Sequence, residues 1–241
     1  MAVTRKRIES NLAVIRDKIA SAAARAGRDP SNVKIIAVTK SVDMETVRNL
    51  IDAGITVFGE SRVQQLVSRV AEMNQYLQRR RNPLPSPVEW HMIGHLQRNK
   101  VKAALEVSDN IHSIDSLRLA EEINERSERM GRKTSVFLQV NCSEEDQKYG
   151  CAMGAALHLG ELMAQMNHID FVGLMTMGPM DGDPEKTRNA FIRLRELFDE
   201  MLHENIVGKN FRHLSMGMSG DYELAVENGA TIVRIGSALF G

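Results

Sequence analysis

A lysine, Lys40, follows a run of apolar residues, with Thr39 between them. The stretch from residue 33 to 40 reads VKIIAVTK, so a strand that is built for burial ends on a charged amine. A lysine that lies among apolar walls loses solvation, which favours the neutral amine. Because a neutral amine is the nucleophile that forms a Schiff base with a carbonyl compound, we expect this chemistry at Lys40. Composition alone favours the alternative, a lysine that extends out into solvent.

Small and hydroxyl-bearing residues collect in two segments near the C-terminus. The segments read LSMGMSG and VRIGSALFG, and in each an apolar run gives way to glycine and serine. Glycine lets the backbone approach an anion closely, and successive N–H groups cradle it. The hydroxyl groups of Ser219 and Ser237 add further donors. These segments predict a phosphate site; the alternative is that glycine and serine simply end two strands.

A lysine and a phosphate cradle at one site indicate a phosphorylated aldehyde as the ligand. Pyridoxal phosphate fits that description, and so does a sugar phosphate in a Schiff-base aldolase. Arg234 lies two residues before Gly236, so both positions of an extended strand face the same way. An arginine there would donate to a pyridine nitrogen and keep it unprotonated, which weakens the ring as an electron sink. A salt bridge to an interior carboxylate such as Glu60 is the alternative.

Apolar, strand-like runs alternate with helical patterns along the chain. Helical spacing predicts a helix over residues 4–26. Capping residues predict three more helices, which begin at Ser61, Ser116 and Asp183 and reach about residues 78, 130 and 204. The eight strand-like runs lie at residues 33–38, 55–58, 88–93, 110–114, 135–140, 170–176, 211–216 and 231–235.

This alternation predicts parallel βαβ units that form a closed (β/α)8 TIM barrel. The continuous apolar runs suit strands that are buried on both faces, and a doubly wound open sheet is the alternative. No helix is predicted after the eighth run, so we expect the extra N-terminal helix to fill that place in the outer ring. Because no repeat or linker interrupts the pattern, we predict one domain over residues 1–241. The site of such a barrel lies at the C-terminal ends of the strands, where Lys40 and the serines fall.

Composition and charge argue against several classes of protein. The 31 basic residues balance 31 acidic ones, so no global field attracts nucleic acid or an acidic membrane. No apolar run is long enough to cross a bilayer, and the first residues lack the apolar core of a signal peptide. Two cysteines do not make a disulfide framework, which favours a cytoplasmic protein. We find no metal-ligand pattern, and no apolar stripe left over for a partner subunit, so we expect a metal-free monomer.

Eight segments of the chain, taken in order, resemble one known family, the pyridoxal phosphate homeostasis proteins. They read IIAVTK, FGE, WHMIGHLQRNK, NIHSIDS, FLQVN, GLMTMGP, LSMGMSGDYELAV and VRIGSALFG. The resemblance runs from about residue 4 to the end. It implies a single-domain, alanine-racemase-like barrel of fold type III that binds pyridoxal 5'-phosphate (PLP). Members act in intracellular PLP (vitamin B6) homeostasis and have no established enzymatic reaction.

The resemblance also assigns roles to individual residues. Lys40 would carry the Schiff base, Arg234 would face the pyridine nitrogen, and the serine segments would hold the phosphate. Ser61 stands where many members have an asparagine near the cofactor, and Met92 replaces a common phenylalanine. The residues expected at the cofactor are Lys40, Ser61, Met92, Ile93, Ser215, Ser219, Arg234, Gly236 and Ser237.

The resemblance leaves catalysis and partners to be settled. A PLP-dependent, racemase-like enzyme of low activity is the alternative to a carrier, and apo forms of PLP-dependent enzymes are candidate recipients of the cofactor. Lys148 lies after the fifth strand, where it is a candidate second acceptor of the carbonyl group. The simpler interpretation of Lys148 is a lysine in a solvated loop.

Overall fold

Strands and helices alternate along the chain in a computed structural model that describes residues 2–84, 86–145 and 147–241. The strands are β1 (Lys34–Val38), β2 (Val57–Glu60), β3 (Glu89–Met92), β4 (Asn110–Ile114), β5 (Thr134–Asn141), β6 (Cys151–Ala152), β7 (Ile169–Met175), β8 (His213–Ser215) and β9 (Ile232–Ile235). The helices are α1 (Arg5–Arg25), α2 (Met44–Asp52), α3 (Val63–Gln78), α4 (Val101–Leu105), α5 (Leu117–Arg129), α6 (Met153–Ala164), α7 (Pro184–His203), α8 (Tyr222–Glu227) and α9 (Ser237–Phe240). The predicted domain also includes Met1, Pro85 and Asp146, which lie outside the described residues.

The strands form a closed parallel barrel. Their order is β4, β3, β2, β1, β9, β8, β7 and β5, and a β4–β5 pairing closes the ring. The (β/α)8 barrel predicted from the sequence is therefore confirmed, and the open sheet is wrong. The short strand β6 was not predicted; it pairs with the end of β5, where Cys151 lies opposite Val140.

Helix α1 closes the outer ring beside the last strand. It packs against α2, α8 and α9, and the Arg7 and Asn11 side chains donate hydrogen bonds to the carbonyl oxygen of Gly241. Arg28 donates in the same way to carbonyl groups that follow α8. The position expected for the N-terminal helix is thus confirmed. The expectation that no helix follows the last strand is wrong, because the four residues of α9 form one turn.

Polar residues cap several of the helices that position the strands. Asp183 accepts hydrogen bonds from the backbone N–H groups at the start of α7, as predicted. Ser116 occupies the N-cap position of α5 but makes no capping bond with its side chain. Ser61 does not cap α3: the N-cap residue is Arg62, so that prediction is wrong by one residue and Ser61 faces elsewhere.

Apolar side chains fill two separate regions. The larger lies between the strands and the ring of helices. The smaller fills the barrel interior, where side chains from alternate strand positions meet. The members of that inner cluster are Ile36, Phe137, Val172, Met175 and Ile232. Buried polar side chains also occur on the strands, among them His91, His112, Ser215 and Arg234.

Gly173 holds β7 and β8 close together, and we expect Gly173→Ala to destabilise the barrel strongly. A Cβ atom at this position would lie 1.9 Å from the backbone oxygen of His213, and backbone cannot move aside as a flexible side chain can. We expect a loss of at least about 3 kcal/mol in the free energy of unfolding, measured by urea titration. Gly154→Ala is the control, because a Cβ atom there meets nothing within 4 Å. Equal midpoints for both variants would contradict the close contact.

Candidate functional site

A cavity of about 470 Å³ opens at the C-terminal ends of the barrel strands. It combines one lysine, one arginine and several hydroxyl groups with apolar walls. It is lined by Val38, Lys40, Ser41, Ser61, Ile93, Gly94, His95, Gln139, Tyr149, Met177, Met218, Ser219, Gly220, Arg234, Gly236 and Ser237. Cavities of about 520 and 510 Å³ lie beside α1, but neither is lined by Lys40 or Arg234.

Lys40 lies at the mouth of this cavity. It follows the last residue of β1 by two positions and is exposed. The apolar run predicted an enclosed, water-poor amine, and that prediction is wrong. The apolar residues belong to the strand, and Lys40 lies beyond its end. Its backbone is held in place, since the Gln65 amide donates to the Lys40 carbonyl oxygen over 2.9 Å.

Glu60 is buried behind the mouth, in contact with Thr39 and Arg69. The Thr39 hydroxyl donates to Oε1 of Glu60, and Arg69 Nε lies 3.1 Å from the same oxygen. Burial raises the pKa of Glu60, and these two partners oppose that effect. Glu60 therefore pairs with Arg69, and its suggested salt bridge with Arg234 is wrong.

Arg234 forms the floor of the cavity and is 3% exposed. Its Nη1 donates to the carbonyl oxygen and to Oγ of Ser215, both at 2.8 Å, and its Nη2 donates to the carbonyl oxygen of Thr176 at 2.8 Å. Burial lowers the pKa of Arg234 to about 10, and Asp221 opposes that effect. Arg234 thus stays a cation at neutral pH, and a guanidinium has donors beyond these three bonds to offer a ligand.

Backbone N–H groups and hydroxyl groups converge on the opposite wall. Ser219 Oγ accepts hydrogen bonds from the N–H of Gly236 at 3.1 Å and of Ala238 at 3.2 Å. Gly217, at a φ of +93°, turns the chain after β8, and its hydrogen atom lies where a Cβ would clash with Ala225. The loops after β8 and β9 are therefore held together by two N–H groups that donate to one oxygen.

The loops after β2 and β3 also press together at the cavity. A Cβ atom at Gly94 would lie 2.2 Å from the backbone oxygen of Ser61, so only glycine permits this approach. The contact places Ser61 and Ile93 on the same wall. It explains how residues that are more than 30 positions apart in the sequence reach one site.

The structure brings most of the predicted residues together. Seven of the nine line the cavity: Lys40, Ser61, Ile93, Ser219, Arg234, Gly236 and Ser237. Ser215 lies one layer deeper and meets the site through Arg234. Met92 is fully buried and packs with the outer core rather than lining the cavity, because strand alternation turns it away from the position of Ile93.

Among the nine further residues that line the cavity, His95, Gln139 and Tyr149 make polar or stacking contacts that were not predicted. The His95 ring stacks on Tyr149 with centroids 4.0 Å apart, and its Nδ1 lies 3.3 Å from Oδ2 of Asp115. Gln139 donates to the carbonyl oxygen of Tyr149 at 3.0 Å. The one signal for them was position, since His95 and Tyr149 follow strand ends and Gln139 lies near one. No other feature of the sequence distinguishes a single polar residue that lines a cavity from one that does not.

Lys148 is not the solvated lysine that the sequence favoured. Its ammonium group donates to the carbonyl oxygen of Gly178 and to Oγ of Ser143 at 3.1 Å, and it pairs with Glu145. Its side chain is only 8% exposed. These partners hold the Lys148 amine in a local cluster beside the mouth.

Within the described ranges, none of the helices has the length and apolar content needed to cross a membrane. The same residues hold no group of three or more His, Cys, Asp or Glu side chains placed to bind a metal ion.

The fold and the lysine at its mouth define a barrel of the alanine racemase type. Residues 10–241 match the family model described as the alanine racemase N-terminal domain. The pyridoxal phosphate homeostasis protein of Aquifex aeolicus is 37% identical over 230 residues, which cover 95% of this chain and 96% of the relative. The chain belongs to the pyridoxal phosphate homeostasis protein family, as the sequence motifs predicted.

Two solved structures are similar over nearly the whole chain. An unknown protein from Bifidobacterium adolescentis is 35% identical with a TM-score of 0.90, covering 98% of this chain and 95% of that one. PipY of Synechococcus elongatus, solved with PLP bound, is 30% identical with a TM-score of 0.81, covering 97% of this chain and 100% of that one. The relatives are named as homeostasis proteins rather than as enzymes.

Proposed function

We propose that this protein binds PLP at the C-terminal mouth of the barrel and acts in intracellular PLP (vitamin B6) homeostasis. One observation carries the proposal: a single cavity holds a lysine, a buried arginine and a cradle of N–H and hydroxyl groups. The PLP bound in PipY supports it. Residues 1–241 act as one domain, a cytoplasmic monomer that binds neither nucleic acid nor membranes.

The cradle suits the phosphate group. The N–H groups of Gly236 and Ala238 donate to Ser219 Oγ, which leaves the Ser219 hydroxyl hydrogen to donate to an anion. The Ser237 side chain lines the same wall. Ser219, Gly236 and Ser237 therefore hold the phosphate.

Lys40 supplies the covalent anchor. When bound, PLP supplies an aldehyde: the Lys40 nitrogen bonds to its carbon, and the carbonyl oxygen leaves as water. Addition of water reverses the step. Because Lys40 is exposed at the mouth, water has access to this bond, which suits a protein that must release its cargo.

Arg234 and the apolar walls orient the ring. Arg234, Ile93 and Ser61 line the cavity. With PLP bound, Arg234 would donate to the pyridine nitrogen, Ile93 would pack against the ring, and Ser61 would contact the cofactor from the neighbouring loop. Ser215 acts through Arg234, and Met92 supports the wall from its outer side. A permanently charged donor leaves the ring nitrogen unprotonated, which weakens catalysis of proton transfer and favours a carrier over an enzyme.

A racemase-like enzyme of low activity is the second candidate, and one observation favours it. His95, with Asp115 beside its Nδ1, lines the same cavity as Lys40, so an acid–base group is present near the anchor. Exchange of the α-proton of amino acids with deuterium in the PLP-loaded protein separates the two candidates. We expect no enzyme-like exchange, and transfer of PLP to an apo PLP-dependent enzyme. Rapid exchange that is lost in Lys40→Ala would overturn the carrier.

We expect Ser219→Ala to weaken PLP binding about tenfold, because the variant loses a hydroxyl donor and the residue that orders two backbone N–H groups. The measurement is a titration of the apo protein with PLP, followed by absorbance. Ser68→Ala is the matched control, since Ser68 lies on α3 and bonds to Glu72 away from the cavity. The same dissociation constant for Ser219→Ala, Ser68→Ala and the wild type would remove Ser219 from the phosphate site.

A further inference from the structure

A chain of hydrogen bonds crosses the barrel interior from the N-terminal mouth to the cavity. At its start, Nε2 of His91 lies 3.4 Å from Oε2 of Glu89. His91 Nδ1 then meets His112 Nε2 at 2.8 Å, and His112 Nδ1 meets Ser215 Oγ at 2.9 Å. Nη1 of Arg234 closes the chain on Ser215 Oγ at 2.8 Å. The residues come from four strands, and the function proposed above uses neither histidine.

Both histidines are neutral. His91 is 2% exposed and His112 is fully buried, with its ring stacked on Phe137 at a centroid distance of 4.0 Å. Burial lowers the pKa of both rings, and for His112 the neighbouring His91 and Arg234 lower it further. A neutral imidazole has one N–H donor and one acceptor nitrogen. Each ring therefore donates on one side and accepts on the other, so the bonds along the chain all run in the same direction.

Glu89 fixes that direction. Lys34 Nζ lies 3.0 Å from its carboxylate, and hydrogen bonding from His91, together with Lys34, lowers the pKa of Glu89 to about 2. A carboxylate only accepts hydrogen bonds, so His91 must carry its proton on Nε2 and present Nδ1 as an acceptor.

The remaining protons then have only one arrangement. His112 donates from Nε2 to His91, and its Nδ1 accepts from the hydroxyl of Ser215. The lone pairs of Ser215 Oγ are left to accept from Arg234. The Asn110 amide, 3.5 Å from His91 Nε2, does not oppose this order, because an amide turns to present its oxygen whereas a carboxylate cannot donate.

We propose that Glu89, His91, His112 and Ser215 are positioning residues that hold the Arg234 guanidinium through a one-way hydrogen-bond chain. A carboxylate at one mouth of the barrel thereby sets the donor geometry of the cavity at the other mouth. The link to cofactor binding rests on the proposed function, but the chain itself belongs to the ligand-free protein.

The test uses the full chain labelled with 15N-histidine, without ligand, at neutral pH. Long-range proton–nitrogen correlation spectra report which ring nitrogen carries the proton, and His91→Gln and His112→Phe assign the signals. We expect Nε2–H in both rings. Glu89→Leu is made in an Asn110→Leu background, where no amide oxygen can replace the carboxylate. It removes the remaining acceptor, and the Nδ1–H form of both rings should rise by about tenfold or more, because a buried donor without a partner is that unfavourable. Lys34→Met is the matched control and leaves both tautomers unchanged, since the carboxylate remains.

A second readout follows the absorbance maximum of bound PLP. It should shift in Glu89→Leu and in His112→Phe, which keeps the ring volume and the contact with Phe137, and should stay in place in Lys34→Met. Two results would overturn the proposed chain. One is a wild-type protein in which His91 or His112 carries its proton on Nδ1 or is charged; the other is a His112 tautomer that does not change in Glu89→Leu. If the histidine tautomers change but the absorbance maximum of bound PLP does not shift, the chain does not control Arg234. If the wild type shows no PLP absorbance band, the result contradicts the proposed function instead. The histidine tautomers then test the hydrogen-bond chain on their own.

Discussion

Replacing Lys40 with alanine is expected to abolish the visible absorbance that the wild-type protein acquires with PLP. The variant keeps the cradle and Arg234, so residual non-covalent binding remains, with a dissociation constant about a hundredfold higher. Its fold and unfolding midpoint should be unchanged, because the Lys40 side chain is exposed. The measurement is an absorbance titration of the apo variant with PLP, alongside urea unfolding.

Lys148→Ala serves as the comparison for Lys40→Ala, because Lys148 is a second lysine, held beside the mouth by the carbonyl oxygen of Gly178. It should retain the visible band. A Lys40→Ala protein that keeps the band, or a Lys148→Ala protein that loses it, would move the anchor away from Lys40.

Replacing Arg234 with glutamate should strongly lower the stability of the protein and also change the spectrum of bound PLP. A carboxylate at this buried position would face the carbonyl oxygens of Ser215 and Thr176, which now accept from the guanidinium. An unpaired buried charge of this kind is expected to lower the free energy of unfolding by about 3–5 kcal/mol. In protein that still folds, the ring nitrogen of PLP becomes more basic and the absorbance maximum shifts.

Arg234→Gln is the milder companion variant. Its amide keeps a donor for one of the two carbonyl oxygens, so the loss of stability should be smaller while the spectrum still changes. Urea unfolding and PLP titration measure the two effects separately. An unchanged maximum in both variants would place Arg234 away from the cofactor.

The barrel was predictable because its strands are long apolar runs and its helices carry regular spacing. All eight barrel strands lie within about two residues of the predicted runs. Among the elements for which no bounds were predicted, β6 and α9 have two and four residues, too few to show a period. Ser61 was assigned to a helix cap for a related reason, since a serine beside a helix carries the same local signal whether it caps or lines a cavity.

The site was predictable only in part. Strand ends pointed to Lys40 and the serine loops, but the exposure of Lys40 depends on where β1 stops, which the apolar run does not reveal. The sequence allowed an ion pair between Glu60 and Arg234, but in the structure Glu60 pairs with Arg69 on α3. His112 was missed because β4 pairs with β5 through a register shift between Ile111 and Ile114, so counting alternate positions does not tell which side chains face the interior.

The central claim is that Lys40 holds the cofactor covalently. Borohydride reduction of the PLP-loaded wild-type protein makes that bond permanent, and peptide mapping by mass spectrometry then locates it. The account predicts one pyridoxyl group per chain, on the peptide that contains Lys40. A group found on Lys148 or another lysine, or no modified peptide at all, would contradict it.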